Sequence, residues 1–126
     1  MSINRYEENR ILSANPVELV QILYDAAVRA VEEAREHLRT GDISGRSREI
    51  SKAQMILVEL SNSVDCVKGG EYGERLVGLY YYMLSRLVES NIEQADGPLA
   101  EVVGLLNTLQ DGWSHVTVAD LEVVTA

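Results

Sequence analysis

The sequence predicts an all-α protein, built as an antiparallel up-down four-helix bundle with an N-terminal strap. Four apolar stripes with the three- and four-residue spacing of a helix follow one another along the 126 residues. Breaks at 40–42, 68–70 and 96–98, each containing glycine, separate these stripes. No long segment alternates with the two-residue period of a strand, and short connections favour antiparallel neighbours. We therefore expect one bundle over residues 15–118, with the strap at 1–14 and a tail at 119–126.

The first helix has clear start and stop signals. Asn15 is a good N-cap, Pro16 suits the first helical position, and Glu18 completes a pattern that resembles a capping box. One apolar stripe then runs as far as Leu38. Gly41 is suited to the left-handed position that follows a helix, so we expect the first helix to end there.

The next two helices are predicted from their stripes and from the glycines between them. The second should begin near residues 44–47 and end at Lys68-Gly69-Gly70, and the third should run from about 72 to 93. The core stripe of the second helix has the alternating spacing of a bundle seam. Its members are Ile50, Ala53, Leu57, Leu60 and Val64.

The fourth helix should follow a break at Asp96-Gly97-Pro98, because proline suits the first turn of a helix. Its apolar residues are Leu99, Val102, Val103, Leu106, Leu109, Trp113 and Val116.

The third helix carries two apolar stripes, which is more apolar surface than a simple bundle needs. The first consists of Leu76, Tyr80, Met83 and Leu87, and the second of Val77, Tyr81, Leu84 and Val88. At 100° per residue, the two stripes lie about 100° apart on the helix. One stripe can fill the bundle core, so the other indicates that this helix either is clasped by more than its nearest neighbours or leaves a groove open for a partner helix. We therefore interpret the chain as a binding protein whose groove includes Val77, Tyr81 and Val88.

The tyrosines refine this interpretation. Tyr24 and Tyr80 lie on core stripes, and we expect their rings to be packed with the hydroxyls at the rim. Tyr81 and Tyr82 point to different sides of the third helix, so one bundle core cannot bury both. At least one of them should be exposed or lie under the N-terminal strap.

The first fourteen residues contain apolar side chains ahead of the first N-cap, where solvent-exposed tails are normally polar. Ile3, Tyr6, Ile11 and Leu12 show no long periodic pattern. We expect this segment to lie over the bundle as a strap, on the apolar surface that the core does not use.

Composition and charge exclude several classes of partner. Twenty acidic residues against eleven basic ones give a net charge of −9. Nucleic acids and anionic membranes bind basic surfaces, so neither is an expected partner. No segment approaches the roughly 20 apolar residues that span a bilayer, so direct membrane insertion is not expected. A single cysteine and an N-terminus without an apolar signal core indicate a cytoplasmic protein.

Catalytic and metal-binding patterns are missing from the sequence. A di-iron bundle needs Glu-x-x-His pairs, but Ala34 precedes His37 by three residues and Gly112 precedes His115 by three. His37 should lie on a solvated helix face, and His115 in the last turn of the fourth helix. Cys66 has no basic or histidine neighbour in sequence that would activate its thiol. We therefore expect no enzyme, no metal and no cofactor.

Five motifs in a fixed order extend from Tyr6 to about Val116 and carry a family resemblance. They are Tyr6-Glu-Glu-Asn9 with Ala14-Asn15-Pro16-Val17-Glu18-Leu19, Ile22-Leu23-Tyr24-Asp25, Lys52-Ala53-Gln54-Met55-Ile56-Leu57-Val58-Glu59-Leu60 with Val64-Asp65, Leu79-Tyr80-Tyr81-Tyr82-Met83 with Arg86-Leu87-Val88-Glu89-Ser90-Asn91, and Leu99-Ala100-Glu101-Val102 with Asp111-Gly112-Trp113. Together they resemble the FliS family, flagellar secretion chaperones that keep flagellin from polymerising before export. The chain departs from the family pattern at Tyr81, where an acid is usual, and at Gln110, where arginine is usual.

The resemblance implies a cytosolic export chaperone with two protein partners. These are the C-terminal segment of flagellin and the cytosolic domain of a membrane protein of the flagellar export gate. The resemblance also implies that the strap covers part of the client groove when no client is bound, and Tyr6 and Asn9 occupy the matching positions. The expected partner-binding residues are Ile3, Tyr6, Asn9, Ile11, Leu12, Met55, Val58, Val77, Tyr81 and Val88. The alternative is a helical adaptor or regulator that binds another amphipathic client.

Overall fold

The computed structural model describes residues 15–64 and 66–114, which form four helices. These are α1 (Pro16–Thr40), α2 (Ile43–Asn62), α3 (Cys66–Glu93) and α4 (Asp96–Trp113). They confirm the all-α four-helix bundle. The strap at 1–14, His115, Val116 and the tail at 119–126 lie outside the described residues. None of the helices in the described ranges is both long and apolar enough to cross a bilayer.

Both ends of α1 follow the predicted signals. The Asn15 side chain accepts a hydrogen bond from the backbone N–H of Glu18 at 2.9 Å and donates one to the Glu18 carboxylate at 3.1 Å. Pro16 is the first helical residue. Gly41 follows the helix at φ +77° and donates its N–H to the carbonyl of Leu38, so a left-handed glycine ends the helix as expected.

The predicted end of the second helix was wrong. α2 ends at Asn62, because the hydroxyl of Ser63 turns back to the carbonyl of Leu60 at 2.7 Å and its N–H bonds the same last turn. The glycines at 69–70 interrupt α3 instead, so the third helix begins at Cys66 and the predicted start near residue 72 was wrong as well. Gly70 has φ +56° and ψ −136°, a conformation that only glycine adopts readily, and it separates a short first turn from the long regular part of α3.

The start of the fourth helix was also misplaced. Asp96, Gly97 and Pro98 form the first turn of α4 and do not form a break before it. The chain reverses one residue earlier, where Gln94 has φ +54° and Ala95 is extended. Proline fits here because the first turn of a helix has no partners for its backbone N–H groups.

The helices follow one another around the bundle, so each packs on its neighbours in sequence and α1 closes on α4. Two contacts show that α1 and α4 are antiparallel. The indole N–H of Trp113, at the end of α4, donates to the carbonyl of Val17 at 3.0 Å. At the other end, the Arg35 guanidinium bonds both oxygens of Asp96 at 2.8 and 3.1 Å.

The core is apolar and is filled by all four helices, as the stripes predicted. Its largest fully buried side chains are Val31, Ile50, Leu57, Leu60, Tyr80, Met83, Leu87, Leu99, Val102 and Leu106. One expectation was wrong: the hydroxyls of Tyr24 and Tyr80 do not reach the rim. Both tyrosines are 2% exposed, and their hydroxyls bond each other at 2.5 Å across the core. Each hydroxyl satisfies the other, so burial leaves neither without a partner.

Candidate partner-binding surface

The two apolar stripes of α3 have different environments. In the first stripe, Tyr80, Met83 and Leu87 are at most 2% exposed and belong to the core. In the second stripe, Tyr81 is 62% exposed and Val88 is 47% exposed. Tyr81 and Val88 of the second stripe are therefore apolar surface that the bundle itself does not bury.

A polar contact between α2 and α3 shows their relative register. The hydroxyl of Ser47 and the Nε of Arg46 both donate to the amide oxygen of Asn91 at 3.2 Å. Because the start of α2 meets the end of α3, these helices are antiparallel. With equal rise per residue in both helices, Val58 of α2 comes level with Leu79 or Tyr80 of α3, and thus within two residues of Tyr81.

The same contact shows which side of α3 looks toward α2. Val77 and Leu84 precede Asn91 by fourteen and seven residues, so all three share one side of the helix. Val77 and Leu84 are half-buried, as expected for residues at the seam between two helices. Tyr81 and Val88 lie one step further out, on the solvent side of this seam.

Two of the predicted residues on α2 complete this surface. Met55 is 59% exposed and Val58 is 45% exposed, on the outward side of α2. We call Met55, Val58, Val77, Tyr81 and Val88 together the α2/α3 surface. Contiguous exposed apolar side chains of this kind mark interaction sites more often than scattered ones do.

The structure thus places five of the expected partner-binding residues on one surface. Their role in binding a partner stays a prediction. The other five, Ile3, Tyr6, Asn9, Ile11 and Leu12, lie outside the described residues.

Sequence reasoning missed two exposed residues at one end of this surface. Ile92 is 74% exposed and continues the second stripe, since it follows Val88 by four residues. Ile43 is 59% exposed and begins α2 at the same end, one turn before Ser47. The spacing of Ile92 was a usable signal. No periodic pattern marked Ile43, because it is the first residue of its helix.

Tyr82 lies on the other side of α3, against α4. Its hydroxyl donates to Glu101 at 2.8 Å, and Arg86 donates to the same carboxylate at 2.7 Å. The two hydrogen bonds lower the pKa of Glu101, and the bond to Glu101 raises the pKa of Tyr82. Tyr82 is 44% exposed. At least one of Tyr81 and Tyr82 was expected to be exposed, and both are.

The described residues offer little catalytic chemistry. No three of their histidine, cysteine, aspartate and glutamate side chains are placed to hold a metal ion. His37 was expected on a solvated face, but it is half-buried and its Nδ1 lies 3.2 Å from an oxygen of Asp42. Asp42 caps α2, so this histidine belongs to the turn between α1 and α2.

Comparison with known proteins relates the whole bundle to one family. The family model described as flagellar protein FliS matches residues 1–120. The flagellar secretion chaperone FliS of Salmonella typhimurium is 34% identical over 111 residues, which cover 87% of this chain and 82% of that protein. FliSB of Pseudomonas aeruginosa, also named a flagellar secretion chaperone, is 33% identical over 110 residues, 87% of each chain.

A more distant relative extends the same match. The flagellar secretion chaperone FliS of Campylobacter jejuni is 29% identical over 116 residues, covering 92% of this chain and 91% of that protein. The match includes all four helices and the α2/α3 surface. The chain therefore belongs to the FliS family of flagellar secretion chaperones, which is a family of chaperones and not of enzymes.

Proposed function

We propose that this protein is a cytoplasmic export chaperone that binds the C-terminal segment of flagellin and keeps it from polymerising. The observation that carries the proposal is the α2/α3 surface, an apolar strip on a rigid bundle in a chain that belongs to the FliS family. Family membership supports the class of client, and the strip supports the way in which the client is held.

The spacing of the strip suits an amphipathic helix. Val77, Tyr81 and Val88, continued by Ile92, extend over sixteen residues of α3, which is about 22 Å for the fifteen steps of 1.5 Å between the first and the last. A client helix with anchors at i, i+3, i+4 and i+7 would lay its apolar side along this length. Flagellin's C-terminal segment, which is amphipathic by the resemblance, would then have its self-associating face covered.

The bundle supplies a preorganised surface, while the client must become ordered on binding. Tyr80, Met83 and Leu87 are buried directly behind the strip, so the chaperone has little to rearrange. A client that folds as it binds loses part of its interaction energy to ordering, which makes release easier. We also propose that the bound complex docks on the cytosolic domain of an export-gate membrane protein, a partner that the family resemblance implies, and no ATP is implied.

We further propose that the strap shares this surface with the client. Ile3, Tyr6, Asn9, Ile11 and Leu12 are the candidate contacts. If strap and client compete, the strap lowers client affinity by the fraction of time that it covers the site. Deletion of residues 1–12 should leave the bundle folded and change client affinity. Hydrogen exchange of residues 3–12 should rise when a flagellin peptide is added, and unchanged protection would show that the sites are separate.

Tyr81 and Tyr82 allow a matched test of the surface itself. They are adjacent and both exposed, but only Tyr81 belongs to the α2/α3 surface. Truncating a central aromatic anchor typically costs 2 kcal/mol or more, so Tyr81→Ala should weaken the binding of a flagellin C-terminal peptide by about 30-fold. Tyr82→Ala should leave affinity within a factor of about two or three, as is typical outside the anchoring residues. Isothermal titration measures both, and binding should show a negative heat-capacity change.

The outcomes separate the possible failures. Equal effects of the two substitutions would mean that the client binds a different surface. No binding of the peptide at tens of micromolar would mean that flagellin is not the client. In that case, an adaptor or regulator with another amphipathic client becomes the better description.

A further inference from the structure

The α2/α3 surface has an electrostatic direction. Arg48, Lys52, Met55 and Glu59 follow one another at four-, three- and four-residue steps, so they form one line along the outward side of α2. The line is basic near the start of α2 and acidic near its end. Arg48 is 65% exposed, and Glu59 is also exposed, so both charges face solvent beside Met55.

α3 adds a charge of the same sign at the acidic end. Glu74 precedes Tyr81 by seven residues, so it lies on the same side of α3, and it is exposed. Since α2 and α3 are antiparallel, the start of α3 lies beside the end of α2, where Glu59 is found. The acidic end of the strip therefore has carboxylates from both helices.

Other charges near these ends are paired with a neighbour or lie outside the part of α3 that carries the strip. Arg75 bonds Glu71 on the α4 side of α3, and Lys68 precedes the break at Gly70, outside the regular helix that carries the strip. At the basic end, Glu89 is paired with Arg86 on the α4 side. Glu49 is buried with its Oε1 3.8 Å from Nε of Arg48, but the Arg48 side chain remains 65% exposed. Along the strip itself, the described residues are thus acidic at one end and basic at the other.

An α-helix has partial positive charge at its N-terminus and partial negative charge at its C-terminus. We propose that the client helix lies on the strip in one direction, with its N-terminal end beside Glu59 and Glu74 and its C-terminal end beside Arg48 and Lys52. It then runs parallel to α3 and antiparallel to α2. This inference rests on the proposed function, because it assumes that an amphipathic helix of the flagellin C-terminal segment occupies the α2/α3 surface.

The length of the strip is consistent with one client helix. The distance along α3 from Glu74 to the level of Arg48 is about sixteen residues, or about 24 Å. A helix of that length has both termini close to the charged ends, within the last turn where the dipole effect is felt. Side chains of the client would reinforce the direction if they are basic near its N-terminal end and acidic near its C-terminal end.

Spin labels on the client test the direction. A nitroxide would be attached to the flagellin C-terminal peptide one turn outside either end of its bound helix, and amide signals of the full-length chaperone would be recorded. The N-terminal label should broaden the amide signals of residues 58–62 and 71–78. The C-terminal label should broaden those of residues 43–48 and 88–92. The reversed pattern would overturn the proposed direction while leaving the surface in place. Broadening centred on α1 and α4 would overturn the proposed surface, and an absence of binding would overturn the proposed function.

Charge substitutions provide a second measurement. One favourable charge near a helix end typically changes affinity by about two- to fivefold at low salt. The double variant Arg48→Gln with Lys52→Gln should thus weaken binding by about four- to twentyfold, and the loss should shrink at high salt. Arg39→Gln is the control for overall charge, because Arg39 is 70% exposed and lies on α1. Tighter binding by the double variant would contradict the proposed direction.

Discussion

Gly45, in the first turn of α2, is the position where local propensity and tertiary packing predict opposite effects of one substitution. Replacing glycine by alanine within a helix usually stabilises it by about 0.5–1 kcal/mol. A Cβ at Gly45, however, would lie 2.6 Å from an oxygen of Asp42 and 2.7 Å from Nδ1 of His37. Neither separation is possible without movement, so Gly45→Ala must displace one or both side chains.

The displaced group caps a helix, which allows the size of the effect to be worked out. Asp42 accepts the N–H of Gly45 at 2.9 Å, and its other oxygen lies 3.2 Å from His37. Loss of an N-cap costs about 0.5–2 kcal/mol. Because this loss exceeds the small propensity gain in a first turn, we expect Gly45→Ala to destabilise the protein by about 1 kcal/mol. That corresponds to a fall in Tm of roughly 3–6 °C for a domain of this size.

The chain contains a matched control. Gly104 lies on the exposed side of α4, and a Cβ there would meet no atom within 4 Å. Gly104→Ala should raise stability by about 0.5–1 kcal/mol through helix propensity alone. Urea unfolding followed by circular dichroism measures both variants under the same conditions.

A double-mutant cycle identifies the cause. If the Asp42 carboxylate is the group that collides, Gly45→Ala should be less destabilising in an Asp42→Ala background, where the cap is already absent. A Gly45→Ala variant that is as stable as Gly104→Ala would refute the packing argument. An equal cost in both backgrounds would assign the collision to His37.

Three further predictions concern groups buried in the bundle. Burial raises the pKa values of Tyr24 and Tyr80 in the folded state, so their stability contribution is full below pH 10, the pKa of tyrosine in an unfolded chain, and declines above it. The urea midpoint of unfolding should therefore fall between pH 10 and 11, and it should fall less steeply when Tyr24 and Tyr80 are both changed to Phe. An equally steep fall in the two proteins would mean that these tyrosines do not cause the pH dependence. Glu49 is 7% exposed; its Oε1 lies 3.8 Å from Nε of Arg48, but its Oε2 has no hydrogen-bond partner within the described chain. Glu49→Met should therefore raise the unfolding free energy by roughly 1–2 kcal/mol, whereas a loss would mean that the ion pair with Arg48 outweighs the cost of burying the carboxylate. Trp113→Ala should cost about 3–5 kcal/mol in thermal or urea unfolding without a selective loss of peptide binding, and unchanged stability with lost binding would make Trp113 a client contact.

Local signals in the sequence were sufficient where a few neighbouring residues decide the structure. Asn15, Pro16 and Glu18 mark the start of α1, and Gly41 marks its end, because capping depends on atoms within one turn. The glycines at 69–70 also mark a real change in backbone direction. The prediction that these glycines end the second helix was wrong, because the hydrogen bonds of Ser63 end α2 earlier. The chain then begins α3 before it reaches Gly70.

The apolar pattern predicted the candidate surface only in part. Two stripes on α3 follow from spacing alone, and so does the conclusion that one bundle core cannot bury both. The pattern does not say which residues of another helix stand beside the second stripe. That depends on the register of α3 against α2, which is seen where Asn91 meets Arg46 and Ser47, residues about 45 positions apart in the chain.

The sequence by itself determined the helical class, the number of helices, most of their limits and the core side of each, because these depend on periodicity and on atoms within a turn. Only the tertiary structure decided which apolar residues remain exposed together and which polar ones become buried together. Met55 and Val58 stand beside Tyr81, and the hydroxyls of Tyr24 and Tyr80 meet across the core, because antiparallel packing fixes the register of one helix against another. That register results from many long-range contacts formed at once, and no single stretch of the chain encodes it.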